Sequence, residues 1–282
     1  MKDIPIRSFS KEDSLLSPRF NIRSIATLSN GKPLIQPLHR HDFYYILALR
    51  KAAGVHVIDF ASYDFCDHSI FFMRPGQIHQ LSLAAGSEGY LIQFKADFFL
   101  HKEVIYPLLR KLSTACFYKL SPDLFEQTST LLQSIDQEFQ EQSLHYQDVI
   151  SANLQIFFTK LIRYNIQASP QSTSPYQHEQ LESLLELIET HIAQNKQVAQ
   201  YAEMLHLSTY QINAITKSLL GKNCSTLINE HIILEAKRYL LGTSKQINQI
   251  AFQLGYEDPS YFIRFFKKQT GYSPQAFRSS LK

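Results

Sequence analysis

The sequence predicts a multidomain α+β protein: a β-rich N-terminal half with trailing helices, then an all-α half of two helix-turn-helix units joined by a linker helix. Three observations predict it. The chain has 282 residues, more than one hydrophobic core usually fills, and at roughly 150 residues per domain it suggests two domains. Apolar residues fall in short or alternating runs between about 35 and 95 and then change to helical spacing from Leu124 onward. A stretch of the C-terminal half repeats itself after 49 to 50 residues.

Composition excludes several classes. With 44% hydrophobic and 19% charged residues, 9 Gly and 11 Pro, the chain has material for packed cores and resembles neither a disordered nor a fibrous polymer. No apolar run approaches a membrane span, and the opening MKDIPIRSFS lacks the apolar stretch of a secretory signal. The three cysteines, Cys66, Cys116 and Cys224, are too widely spaced to suggest disulfides or a zinc site. A soluble protein of the cytoplasm, without a membrane partner, is expected.

The elements follow in order. Runs over 43–49, 54–60, 69–73 and 90–95 read as strands. Residues 124–167 read as two helices, with Leu154, Phe157, Phe158 and Leu161 on one stripe. That stripe suits either a cover for the sheet or a two-fold dimer contact. The segment ASPQSTSPY is rich in Ser and Pro and lacks periodicity. It divides an N-terminal domain, 1–167, from a C-terminal domain, 178–282, with 168–177 as linker. Leu181, Leu184, Leu185, Ile188 and Ile192 then open the helical half.

In the repeat, Val198, Ala202 and Leu205 recur as Ile247, Ala251 and Leu254, and Ile212, Ile215, Lys217 and Gly221 recur as Phe262, Phe265, Lys267 and Gly271. Each copy reads as helix, tight turn, helix. Ser208 and Asp258 suit N-caps, Pro259 a first helical turn, and Gly255 a left-handed helix end. If Phe262, Phe265 and Phe266 face inward, the 3.6-residue period turns Ser260, Ile263, Arg264 and Lys267 outward. The matching positions of the first copy are Tyr210, Asn213, Ala214 and Lys217. Arg264 suits bidentate hydrogen bonding to guanine, Ile263 a thymine methyl and Asn213 adenine. Charge agrees: residues 206–282 carry seven Lys and three Arg against Glu230, Glu235, Glu257 and Asp258, a net +6, which leaves −3 elsewhere. Between the copies, 225–241 reads as one helix closed by Gly242. At about 1.5 Å per residue it is roughly 25 Å long, a rod able to hold two reading helices against adjacent major grooves.

The stretch AKRYLL through INQIAFQLGYEDPSYFIRFFKKQTGYSPQAFR resembles the C-terminal signature of the AraC/XylS family of bacterial transcription regulators. Ile250, Ala251, Gly255, Tyr256, Ser260, Phe262, Arg264, Phe266, Lys267, Gly271, Pro274 and Phe277 stand at its characteristic positions. The resemblance implies two helix-turn-helix subdomains that bind double-stranded DNA and an N-terminal domain that senses a small molecule or dimerises. Carried over by position, it implies base reading by Tyr210, Asn213 and Ala214, then by Pro259, Ser260, Ile263 and Arg264. Ala214 departs from the longer polar residue common in relatives.

The N-terminal half contains HRHDFYY and MRPGQIH. These look like the cupin-type β-barrel of many family members, in which a His-x-His strand and a Pro-Gly-x-x-His turn meet inside the barrel. Period two aligns His39, His41, Phe43 and Tyr45 on one face, and Gln77, His79 and Leu81 on another. Three converging imidazoles suit a divalent metal. In metal-binding cupins a glutamate follows the His pair, and here Tyr45 stands in its place, so hydrogen bonding to an effector, or histidines satisfied within the barrel, is preferred and no metal or cofactor is expected. The candidate effector-binding residues are His39, His41, Tyr45, Arg74, His79 and Gln93.

The expectation is thus a sequence-specific DNA-binding transcription regulator and not an enzyme, with a small-molecule effector, a homodimeric state, and RNA polymerase as a further candidate partner. The alternatives are a metal-dependent cupin enzyme using His39, His41 and His79, and a regulator without a small-molecule effector.

Overall fold

The computed structural model describes residues 4–9, 19–168 and 174–280. The chain divides into two compact units, one of residues 5–168 and one of residues 1–4 together with 169–282.

The first unit is built on β1 (Ile6–Arg7), β2 (Phe20–Ser24), β3 (Leu34–His41), β4 (Tyr44–Lys51), β5 (Gly54–Ile58), β6 (Ala61–Asp64), β7 (Ser69–Met73), β8 (Ile78–Leu83), β9 (Glu88–Phe94) and β10 (Phe117–Lys119). Among the described residues these form two five-stranded sheets, ordered β1-β3-β8-β5-β6 and β10-β7-β4-β9-β2. Tyr45, Leu47 and Leu49 of β4 join Ile58, Leu81 and Leu83 of the other sheet in one buried cluster. The alternate residues Ile46 and Ala48 face a second cluster built with the helices. Burial on both faces explains why β4 reads as a nearly continuous apolar run. The predicted strand over 54–60 is shorter, because Asp59 and Phe60 take positive φ values of 47° and 72° and turn the chain into β6.

Helices α1 (Ile25–Ser29), α2 (Lys102–Leu112), α3 (Pro122–Glu141) and α4 (Tyr146–Ala168) complete the unit. Leu154, Phe157, Phe158 and Leu161 are all fully buried, against the outer face of the second sheet and α3. This stripe covers the sheet and is not available as a dimer contact.

The second unit comprises α5 (Pro175–His191), α6 (Val198–Met204), α7 (Thr209–Leu220), α8 (Cys224–Gly242), α9 (Ile247–Gln253), α10 (Pro259–Thr270) and α11 (Pro274–Ser280). Part of the expected linker, 169–173, lies outside the described residues. Its end corrects the sequence reading: Ser174 caps α5 through a capping box with Gln177, and Pro175 occupies the first turn, where its missing N–H costs no helical bond. Ser208 forms the same box with Gln211 at α7, and Asp258 accepts from the Ser260 N–H at α10. Gly221 and Gly271 end α7 and α10 at φ 69° and 80°. Gly255, at φ 74°, turns the chain between α9 and α10 so close to α5's end that a Cβ there would sit 1.6 Å from the Ala193 carbonyl oxygen.

The buried stripe of α10 is narrower than expected. Phe262 and Phe266 are fully buried, while Phe265 and Ile263 are half-buried against the same core. At about 100° per residue, Phe262 and Phe266 straddle the centre of the stripe, and Phe265 and Ile263 flank it on opposite sides. Phe262→Ala should therefore cost about 3–5 kcal/mol and Phe265→Ala distinctly less, as read from urea denaturation of the intact chain; equal losses would mean the stripe is assigned wrongly.

Candidate nucleic-acid interface and histidine cluster

The outward positions of α7 and α10 form the candidate interface. Tyr210 is 83% exposed, and Ala214, Lys217, Ser260 and Lys267 are exposed, with Pro259 half-buried at the start of α10. The Arg264 side chain is 69% exposed and opposes the buried stripe, its guanidinium 3.8 Å from the Asp258 carboxylate. An ion pair this exposed contributes little stability and leaves the guanidinium free to swing toward another acceptor. The Asp258 carboxyl is held below the usual range chiefly by the Ser260 backbone N–H, with a smaller contribution from Arg264.

Asn213 departs from the expected role. It is half-buried, its Nδ2 donates to the Thr209 carbonyl at 2.9 Å, and its Oδ1 accepts from the Cys224 backbone N–H at 3.1 Å. That N–H belongs to the first turn of α8, whose N-cap residue Asn223 makes no side-chain capping bond. The first N–H groups of a helix have no internal partner, and Asn213 supplies one from the neighbouring helix. The other end of α8 is treated alike: buried Arg278 of α11 donates from Nε to the Leu240 carbonyl at 2.9 Å and from Nη2 to the Lys245 carbonyl at 2.7 Å. A third tie is Lys196, whose Nζ donates to the Ala193 and Gly255 carbonyls at 2.9 and 3.0 Å and lies 5.0 Å from the Tyr256 ring centre. Sequence reasoning missed Lys196 and the capping roles of Asn213 and Arg278. A polar residue on an outer helix face and a carbonyl-capping arginine carry no local periodic signal.

In the first unit, the sheets bring His39, His41, Tyr45 and His79 together. His39 and His79 are directly opposed on β3 and β8, just after the irregularity in β3 around Pro37. His39 Nδ1 lies 2.6 Å from the Pro37 carbonyl oxygen, which only accepts, so that nitrogen carries the proton. The Nε2 atoms of His39 and His41 are 3.1 Å apart, and those of His41 and His79 2.9 Å. Tyr45 stacks on His41 and presents an edge to His79, with ring centres 5.3 and 5.2 Å apart. His56 of β5, missed because a single histidine in an apolar strand reads as core, stands behind His79, its Nε2 2.9 Å from His79 Nδ1. Burial pushes His39 down to about 4. It pushes His41 and His56 to about 3, reinforced by His39, and His79 well below the ordinary imidazole value. All four rings are neutral at neutral pH. Of the other candidates, Gln93 pairs with Tyr45 in register and accepts from Arg23 at 3.4 Å. Arg74 lies half-buried after β7, where its backbone N–H bonds Gln77 Oε1 at 2.7 Å.

A pair of capped helix-turn-helix units with a basic outer helix face defines the chain as a DNA-binding regulator. A family model described as a helix-turn-helix domain matches residues 201–280. The chain is 21% identical over 246 residues to the HTH-type transcriptional activator RhaS of Escherichia coli O1:K1, covering 86% of this chain and 87% of the relative. It is 22% identical over 247 residues to the HTH-type transcriptional activator RhaR of Mannheimia succiniciproducens, with the same coverage of 86% and 87%. Among solved structures, unsaturated fatty acid-bound ToxT from Vibrio cholerae strain SCE256 aligns with a TM-score of 0.43 at 18% identity, covering 92% of this chain and 94% of that one. Residues 201–280 thus match a helix-turn-helix domain, and over most of its length the chain is similar to HTH-type transcriptional activators.

The capping assignment predicts the behaviour of Asn213→Ala. Loss of the cap should cost roughly 0.5–2 kcal/mol and weaken binding to all duplexes alike. Denaturation paired with a base-substitution scan of the bound duplex checks this; an altered preference at one base pair with unchanged stability would return Asn213 to the reading face.

Proposed function

We propose that this regulator binds double-stranded DNA by setting α7 and α10 in successive major grooves, with the N-terminal β unit sensing a small-molecule effector. Arg264 is the chief base reader, Ser260 and Ile263 flank it, and Pro259 and Lys267 contact the backbone or its edge. On α7, Tyr210 and Ala214 face the groove and Lys217 meets phosphate. Asn213 is left out of this set because both ends of its amide are occupied within the unit. The observation that carries the reading is the exposed Arg264 on the face of α10 opposite Phe262 and Phe266. The protein acts as a non-enzymatic regulator in the cytoplasm, as a homodimer, with RNA polymerase as a partner at the promoter. Among the described residues no helix is long and apolar enough to cross a membrane.

Effector occupancy acts by shifting a population between DNA-competent and incompetent arrangements, which requires the ligand to bind one of them better. Arg264→Ala should cost about 1–3 kcal/mol on the preferred duplex and relax specificity at one base pair, while Lys217→Ala weakens all sequences similarly and lowers the salt dependence. Binding isotherms on a duplex selected from a random pool, and on scrambled controls, check both; equal losses for Arg264→Ala on selected and scrambled duplexes would defeat the base-reading assignment.

A further inference from the structure

The end of β4 carries a β-bulge that re-aims a charge. Leu49 pairs with Gly89 and Lys51 with Glu88, so Arg50 is an extra residue on its strand and shares the place opposite Glu88 with Lys51. A bulge of this kind bends the strand and redirects a side chain. Arg50 turns onto the outer face of the second sheet, where its Nη2 donates to Glu126 Oε2 at 3.0 Å and to the buried Ser129 Oγ at 3.2 Å, both on α3. Both hydrogens of Nη2 are thereby used. Among the described residues the Nε and Nη1 donors of Arg50 have no acceptor.

Beside the guanidinium lies a cleft of about 410 Å³ between the outer face of the second sheet, the start of α1, and α3. Its size is that of a small-molecule site. Buried Phe125 and Leu132 and the half-buried Tyr90 ring give it apolar walls. Arg50 and Glu88 give it opposite charges. They stand on adjacent strands and line one cleft, yet form no ion pair: Arg50 is held from α3, and the exposed Glu88 carboxylate has no partner among the described residues. Opposite charges held apart along an apolar wall are complementary to a molecule that itself carries both. Because Glu126 already offsets Arg50, the unshared charge is that of Glu88, which favours an ammonium group and disfavours a ligand that is only an anion. Burial raises the Tyr90 phenol above its ordinary value, Asp136 adds to this and Arg50 opposes it. The phenol therefore stays protonated, a donor near Arg50 for a carboxylate.

We propose that this cleft binds a free amino acid with an apolar or aromatic side chain. Its carboxylate meets the open Nε and Nη1 donors of Arg50, its ammonium group meets the Glu88 carboxylate, and its side chain packs on Phe125, Leu132 and Tyr90. Glu126 is a positioning residue, since it holds the guanidinium from α3 and does not line the cleft. The site is separate from the interior of the β unit, where His39, His41, Tyr45 and His79 meet. Tyr90 and the cleft walls Phe125 and Leu132 belong to the cluster between the second sheet and the helices, whereas Tyr45 belongs to the cluster between the sheets. The proposal therefore stands whether or not the interior takes an effector. One wall is α3, so an occupied cleft ties that helix to the end of β4.

Isothermal titration calorimetry of the intact chain with L-phenylalanine, L-leucine and L-methionine tests the site. At least one of them should bind saturably, at one molecule per chain. Its analogue without the ammonium group and its analogue without the carboxylate, hydrocinnamate and phenethylamine in the case of L-phenylalanine, should each bind at least about 10-fold more weakly, the loss expected when a hydrogen bond to a charged group is removed. Glu88→Gln should weaken binding by a similar factor with an unchanged melting temperature, since that carboxylate supports no contact of the fold among the described residues. Arg50→Gln should weaken it as well while lowering the melting temperature, because its bonds to α3 go too. Absence of saturable binding by all of these amino acids overturns the site. So does an analogue that binds as tightly as its parent amino acid, or undiminished binding by a folded Glu88→Gln chain.

Discussion

The unpaired backbone groups at the two ends of α8 hold the reading apparatus together. A helix cannot satisfy its own first N–H groups or last carbonyls, and here each end is completed by a side chain from another helix, Asn213 of α7 at Cys224 and Arg278 of α11 at Leu240. The 19 residues of α8 make a rod of about 28 Å, hydrogen-bonded near each end by a side chain of a neighbouring helix. Lys196 and the close approach of Gly255 to Ala193 add a third contact, from the end of α5 to the turn of the second unit. Under the proposed function, α7 and α10 tied in this way would act as one ruler, with a separation set by the fold that a bound duplex would have to match.

The same logic explains Gly242. An isolated helix of this kind would be expected to stop at a left-handed glycine, yet Gly242 is buried in the last turn and extended Thr243 is the cap. The Thr243 N–H and hydroxyl both reach the Tyr239 carbonyl, at 3.2 and 2.7 Å, and Arg278 takes Leu240. With these carbonyls satisfied from outside, the helix gains nothing from a left-handed turn.

Much of this was legible in the sequence, because apolar spacing and caps act locally. Ser208, Asp258, Pro259 and the glycines at 221, 255 and 271 announced the helix boundaries, and the short apolar or alternating runs announced β4, β5, β7 and β9, four of the ten strands among the described residues. What escaped depends on partners distant in the chain. Asn213 looked like a base reader because nothing near it in sequence reveals the Cys224 N–H. Phe265 looked like core because three phenylalanines share a helical arc, whereas the neighbouring helices cover only its centre. His56 lay hidden in an apolar strand until the sheet set it behind His79. The α2 segment carries Pro107 within it, which breaks the usual helical pattern on paper yet is tolerated in the fold. The 154–161 stripe was legible as a helix face, but its destination, sheet or partner subunit, was not.

The central claim is that one chain measures a fixed distance along DNA. A duplex selected by the intact chain should contain two contacted segments about one helical turn apart, and the decisive measurement is affinity after lengthening the spacer between them by about half a turn and by about a whole turn. A rigid α8 predicts that both insertions reduce affinity to that of a single segment, the first by rotating the second segment away and the second by moving it out of reach. Affinity unchanged by either insertion would contradict the account, since it would require the two units to move independently.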